Sequence, residues 1–205
     1  MENPENKIIS EQTWNLVDKL LLERIPIAGI SRVTGISEPW LQKYINDKYD
    51  NLDKKIHEST INDKKKVQVK IECDEMCSFV KSKKNKQWIW IAINKENREI
   101  IGLYLGSRSA KGAKGLWESI PKIYRDQGYF YTDFWESYEV ILPKEQHSSV
   151  GKQTGLTNYV EGLNNTFRQR CSRLVRKTLS FSKKIKNHIG AVWYFALHYN
   201  EALRV

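Results

Sequence analysis

The fold is decided by residues 67–80, VQVKIECDEMCSFV. Val67, Val69, Ile71 and Cys73 alternate with Gln68, Lys70, Glu72 and Asp74, the period-two pattern of a half-buried strand. Asp74 and Glu75 then break the alternation, so the pattern predicts a strand that stops on a carboxylate. A carboxylate at a strand end can bind a metal, accept a proton or close a solvated turn. The elements on either side narrow that choice.

Downstream, the charged turn SKKNK (82–86) leads into QWIWIAIN (87–94), and a second polar turn (95–98) leads into EIIGLYLGS (99–107). Three strands joined by short polar turns predict an antiparallel meander. Residues 110–126 carry Ala113, Leu116, Trp117 and Ile120 at helical spacing, with a kink or stop expected at Pro121. YFYTD (129–133) is a short strand ending on Asp133, WESYEVIL (135–142) is helical, residues 147–151 suit a fifth strand, and helix dominates from Asn158 onward. Three strands, helix, strand, helix, strand, helix is the element order of the ribonuclease-H-like α/β fold, which predicts a mixed sheet.

In that arrangement the ends of the first and fourth strands lie side by side. Asp74 and Asp133 would meet there, and the helix after the fifth strand would carry Glu161 past the same edge. Converging carboxylates repel one another and raise each other's pKa values. A divalent cation removes the conflict, and Mg²⁺ prefers a few carboxylates, water and substrate phosphate. Two such ions ~4 Å apart activate a water or a 3′-hydroxyl and stabilise the leaving oxygen of an in-line displacement at phosphorus. Along the Glu161 helix, Val160, Leu163, Phe167, Cys171 and Leu174 form an apolar stripe, while Glu161, Asn164, Asn165 and Arg168 share the other side. Between Glu161 and Glu201 there is no acid, yet Arg168, Arg170, Arg173, Arg176, Lys177, Lys183, Lys184 and Lys186 are all basic. An uncompensated run of this length favours a track for a phosphate backbone. Trp193, Tyr194 and Phe195 beyond it read as core.

Upstream, Trp14, Leu16, Val17, Leu20 and Leu21 recur at helical spacing before Pro26. Ile27, Ile30 and Val33 suit a short helix, Thr34-Gly35-Ile36 a tight turn, and Ser37 an N-cap. Trp40, Leu41, Tyr44 and Ile45 form the stripe of the helix that follows. Two short helices around a glycine turn describe either a helix-turn-helix or an ordinary helical hairpin. In the first case Glu38, Gln42, Lys43 and Asn46 are candidate DNA contacts. Residues 51–66 read as a solvated linker or a charged arm. The predicted organisation is a helical DNA-binding region (1–50), a charged linker (51–66) and a catalytic domain (67–205).

The composition agrees. With 40% hydrophobic residues, 7 Trp and 10 Tyr, the 205-residue chain can build a real core. Thirty-four Lys plus Arg against 24 Asp plus Glu leave a net charge of +10, which favours a polyanion partner. The three cysteines have no paired spacing, which argues against a disulfide framework and for a reducing cytoplasm. Cys73-x3-Cys77 lacks the second pair that a zinc site needs. No apolar run reaches membrane-spanning length.

The blocks DEMCSFVKSKKNKQWIW (74–90), YTDFWESY (131–138), VGKQTGLTNYVEGLNNTFRQR (150–170) and SRLVRKTLSFSKK (172–184) resemble the insertion-sequence-one type transposases of bacteria and cyanobacteria. The resemblance runs over nearly the whole chain. It implies a DDE transposase with a ribonuclease-H-like domain that cuts and joins DNA using Mg²⁺ or Mn²⁺, two ions in all. Asp74, Asp133 and Glu161 would be its three acids. It further implies double-stranded DNA as partner, both the element's terminal repeats and the target, a homo-oligomer on DNA, and association with the bacterial nucleoid. Gln42, Lys43, Asn165, Arg168, Arg170, Arg173, Arg176, Lys177, Lys183 and Lys184 are the expected DNA contacts. The pattern departs at Cys77, where Trp is usual, at Tyr159, where His is usual, and at Gly162, where Arg is usual; the family's zinc ribbon is not found before the first helix. The alternative is an inactive relative that only binds DNA, as a repressor would.

Overall fold

The computed structural model describes residues 8–56, 68–175 and 180–204. Among these are eight α-helices and a five-stranded sheet. Strands β1 (Val69–Phe79), β2 (Lys86–Asn94) and β3 (Ile100–Gly106) form the antiparallel meander, and β4 (Gly128–Thr132) and β5 (His147–Ser149) add to the other edge of β1 in parallel. The order is β3-β2-β1-β4-β5, so β1 is central.

The meander follows from β-branched and aromatic residues broken by polar turns. In the second of these turns, Arg98 takes a positive φ of 62°, and the Asn94 side chain accepts from the Glu96 amide. Helices α4 (Ala110–Ser119), α5 (Lys122–Gln127) and α6 (Glu136–Ile141) cover one face of the sheet, with Pro121 at the N-cap of α5 where a proline costs nothing. Ile71, Cys73, Trp90, Leu116 and Phe130 fill that layer.

The opposite face is covered by α7 (Asn158–Arg170) and α8 (Ile185–Ala202), and the three N-terminal helices share their core. The predicted stripe of α7 is buried along its whole length, from Val160 to Leu174. Among the described residues helix is not continuous beyond it: the chain leaves α7 at Cys171, and the next described α-helix begins at Ile185. Helix α8 is apolar on nearly every side and is buried between the sheet and α3 (Glu38–Asp50), where Gly190 lets the Tyr49 ring lie directly against its backbone. Buried His188 joins Ser78 of β1 (2.8 Å) to Ser182 (3.2 Å), and burial lowers its pKa to about 4, keeping it neutral.

Helices α1 (Glu11–Leu20), α2 (Ile27–Thr34) and α3 form the N-terminal group. Gly35 ends α2 in the left-handed conformation, φ 70°, and its amide returns to the Ser31 carbonyl. Leu41 and Ile45 are buried as expected, but Trp40 is 63% exposed and lies off the stripe. Asp18 ties α1 to α3 through Tyr44 (2.9 Å) and Lys48 (2.6 Å).

Candidate active site

The site is built where one strand outlasts its neighbour. Strands β1 and β4 pair in parallel up to Glu72 opposite Tyr131. Strand β4 stops at Thr132, whereas β1 continues to Phe79 against β2. Asp74 is therefore not at the end of its strand, as the broken alternation suggested, but in the middle of it, opposite Ile91. What ends beside it is β4. Asp133, two residues past the last β1–β4 pair, is turned there by its own Oδ1, which accepts from the Trp135 amide (3.0 Å).

Nor is β1 half-buried. Glu72 is completely inaccessible and Glu75 nearly so. Glu72 Oε2 accepts from the Tyr159 and Val160 amides at the start of α7 (2.8 and 3.0 Å), and Oε1 meets the Lys95 ammonium (2.9 Å). A carboxylate at a helix N-terminus satisfies amides that have no partner inside the helix. This pin fixes α7 across the sheet, and with it the residues one and two turns further along.

Asn164, expected on the exposed side of α7, is 4% exposed and donates to Asp74 Oδ2 (2.6 Å). Its own Oδ1 is buried without a partner. Glu161 lies one turn earlier, accepting from Thr157 Oγ1 (3.2 Å). Asp74, Asp133, Glu161 and Asn164 all line one cavity of ≈ 200 Å³, with Lys152 and Arg168 at its edge. The three predicted acids thus share one cavity.

The tightest acidic cluster is Asp74, Glu75 and Asp133, whose oxygens come within 4.8 Å of one another. Glu75, which is not among the three acids the resemblance implies, lies at the same place, but its oxygens are already engaged. Arg108 donates to Oε1 through Nε (2.8 Å), its Nη2 lies 2.7 Å from that oxygen, and Tyr138 donates to Oε2 (3.0 Å). Burial and the Glu75 charge hold the Tyr138 phenol protonated, so it stays a donor. Asp74 has only Asn164 and the Glu75 amide. Burial raises Asp74 to about 6, and the charges of Asp133 and Glu161 add to it. Burial raises Glu75 to about 7, reinforced by Asp133 and Asp74 and opposed by Arg108.

Residues 67–199 match the family described as IS1 transposase. The chain belongs to the IS1 transposase family. It is similar to the insertion element iso-IS1n protein InsB of Shigella dysenteriae, 33% identical over 124 residues that span 60% of this chain and 91% of that protein. It is also similar to the insertion element IS1 2 protein InsB of Escherichia coli K12, 28% identical over 60% of this chain and 71% of that protein. The IS1 protein InsB of Shigella flexneri is 27% identical over 60% of this chain and 91% of its own length. A transposase family implies divalent-metal chemistry, and the donors here suit it: hard carboxylate oxygens, one amide oxygen without a partner, and an acid whose pKa is raised by burial and by the charges beside it.

The expected DNA contacts of this IS1-family chain are scattered. Asn165 and Arg168 lie on α7 beside the cavity. Arg170 is not uncompensated: it pairs with Glu23 (2.8 Å) and lies over the Phe195 ring. Lys186 likewise pairs with Asp50 (2.7 Å). Arg173 is half-buried against Tyr49. Lys43, Lys183 and Lys184 are exposed, whereas Gln42 is half-buried and donates to Asn46 (2.8 Å). Arg176 and Lys177 lie outside the described residues. Lys152 and Thr157, which the sequence did not single out, line the cavity; Lys152 starts a single 3-10 turn and Thr157 precedes α7, segments too short for periodicity to mark them.

Proposed function

We propose that the chain is a DDE transposase with a ribonuclease-H-like catalytic domain, cutting the ends of its element and joining them to target DNA. The convergence of Asp74 and Asp133 from two parallel strands with Glu161 from α7, in one cavity, carries this reading. Asp74, Asp133 and Glu161 would hold two Mg²⁺ or Mn²⁺ ions, with Asn164 supplying a further oxygen. When bound, such ions activate the attacking oxygen and stabilise the leaving one. Asn164 orients the Asp74 carboxylate, Arg108 and Tyr138 keep Glu75 in place, and Lys152 and Arg168 lie where a phosphate would enter. Helices α2 and α3 would act as a helix-turn-helix, with Gln42 and Lys43 toward DNA. Arg170, Arg173, Arg176, Lys177, Lys183 and Lys184 would supply the basic track, and the working unit would be a homo-oligomer on paired DNA ends.

The test is nicking of a supercoiled plasmid that carries the DNA flanking this reading frame. Cleavage requires Mg²⁺ or Mn²⁺ and disappears in Asp133→Ala while the protein still retards the DNA. Cleavage that survives the substitution removes the acids from the mechanism. A second reading, DNA binding without catalysis, is favoured by Gly162, beside Glu161, where the resembled family usually has Arg. A Cβ there meets nothing within 4 Å, so the helix leaves room for a side chain to begin at this position. Cleavage gained only in Gly162→Arg with Tyr159→His identifies an inactive relative.

A further inference from the structure

Phe134 follows Asp133 directly and is 69% exposed. Its neighbour Trp135 is held in place: the Arg108 guanidinium lies 4.0 Å from the centre of its ring, and Arg108 is itself fixed by Glu75. These two aromatics, with Val150 and Gly151, wall an open cavity of ≈ 580 Å³, within the range of roughly 300–1,000 Å³ usual for small-ligand sites. Asp133 and Lys152 border both this cavity and the acidic one, so the two adjoin. The Gln153 amide lies against Gly151 at the same wall, offering a donor and an acceptor.

We propose that this cavity receives one nucleobase, drawn out of its stack, from the strand whose phosphate lies at the acidic site, with the base resting on Phe134. The inference rests on the transposase reading. Its chemistry suits a base: Phe134, Trp135 and Val150 give it an apolar, aromatic side, Gln153 a polar one, and Lys152, shared with the acidic cavity, suits the adjoining phosphate, while any base has a face that stacks. Exposed Phe134, backed by the held Trp135 ring, offers an extruded base a stacking face beside the acidic site.

The test measures binding of the full chain to short oligothymidylate and to an abasic strand of equal length, without divalent metal. Phe134→Ala weakens binding of oligothymidylate by about 5- to 100-fold and leaves the abasic strand unchanged, and Phe134→Trp restores wild-type affinity. Because Phe134 is exposed, the variants keep the wild-type melting temperature. Equal weakening on both strands overturns the subsite, as does no weakening on either. So does Phe134→Ala that alters oligomeric state while leaving both affinities intact, which would assign the ring to a contact between copies. A wild-type chain without affinity for either strand, or one whose binding does not depend on the ring, overturns the subsite alone; the transposase reading falls only with the loss of metal-dependent nicking of duplex DNA.

Discussion

Glu72 and Asp74 stand two residues apart on the same face of β1, and both reach toward α7, yet they live in opposite circumstances. Glu72 is fully buried and has two helix amides and the Lys95 ammonium for company. Asp74 has one side-chain donor, lies against two further acids, and is pushed up to about 6 by burial and by their charges. Native structures rarely leave an acid short of partners unless something else completes it. The better-buried acid is thus the structural one, and the poorly compensated acid marks the site.

The largest effect should separate them by activity. Asp74→Asn lowers metal-dependent nicking by on the order of 10³-fold, since it removes a charge proposed to hold the metal, while gel-shift affinity for the same DNA persists. Glu72→Gln keeps one acceptor oxygen for the two amides and retains measurable nicking. If Glu72→Gln is as dead as Asp74→Asn in a protein of unchanged stability, Glu72 belongs to the chemistry and the contrast collapses.

Stability should rank them in reverse. Glu72→Ala strands Lys95 and two amides beneath the sheet, and removing one partner of a buried pair costs about 3–5 kcal/mol. Urea unfolding followed by tryptophan fluorescence reads that loss. A cost below about 1 kcal/mol, the level of an exposed ion pair, would mean that the pin does not hold α7.

The difference between the two acids was only half legible in the sequence. Alternation placed Glu72 and Asp74 on one face, and element order brought Asp74, Asp133 and Glu161 together, because strand period and connectivity are local properties. The partners of Glu72 are amides 87 and 88 residues away, and no local pattern reports them. The same limit explains Arg170, whose counter-ion Glu23 comes from α1's end of the chain, and Asn164, which a helical wheel places beside exposed Asn165 but which the Asp74 carboxylate draws inward. Trp40 counts into the stripe by its place beside Leu41, yet it falls off the buried face and is exposed among the described residues.

The pH dependence follows from Asp74. Its pKa is raised from 3.8 to about 6 on folding, so the folded chain holds the proton that the unfolded chain releases, and stability falls as pH rises through that interval. At 1.36 kcal/mol per pKa unit, Asp74→Asn should be more stable than wild type by about 1–3 kcal/mol at pH 8, and by little at pH 4. Melting temperatures at the two pH values in EDTA check this. Mn²⁺ should erase the difference by stabilising wild type alone, with an affinity that rises as pH climbs past about 6. A variant no more stable than wild type at pH 8 would mean that Asp74 is as well satisfied as Glu72.

The smallest effect probes the helix on which both acids depend. Gly162 is exposed in α7, and a Cβ there meets nothing. Replacing an exposed helical glycine by alanine stabilises by about 1 kcal/mol through backbone entropy alone. If Glu72 fixes the start of α7, that gain should be the same in wild type and in Glu72→Gln, because two amides still find an acceptor in both. A double-mutant cycle in urea measures the coupling. Additivity within about 0.5 kcal/mol keeps the helix as one rigid platform under Glu161 and Asn164. A gain that grows in Glu72→Gln would show α7 fraying at its first turn once the charge is gone, and would make the ion pair with Lys95, rather than the two amide bonds, the part of the pin that positions the acids.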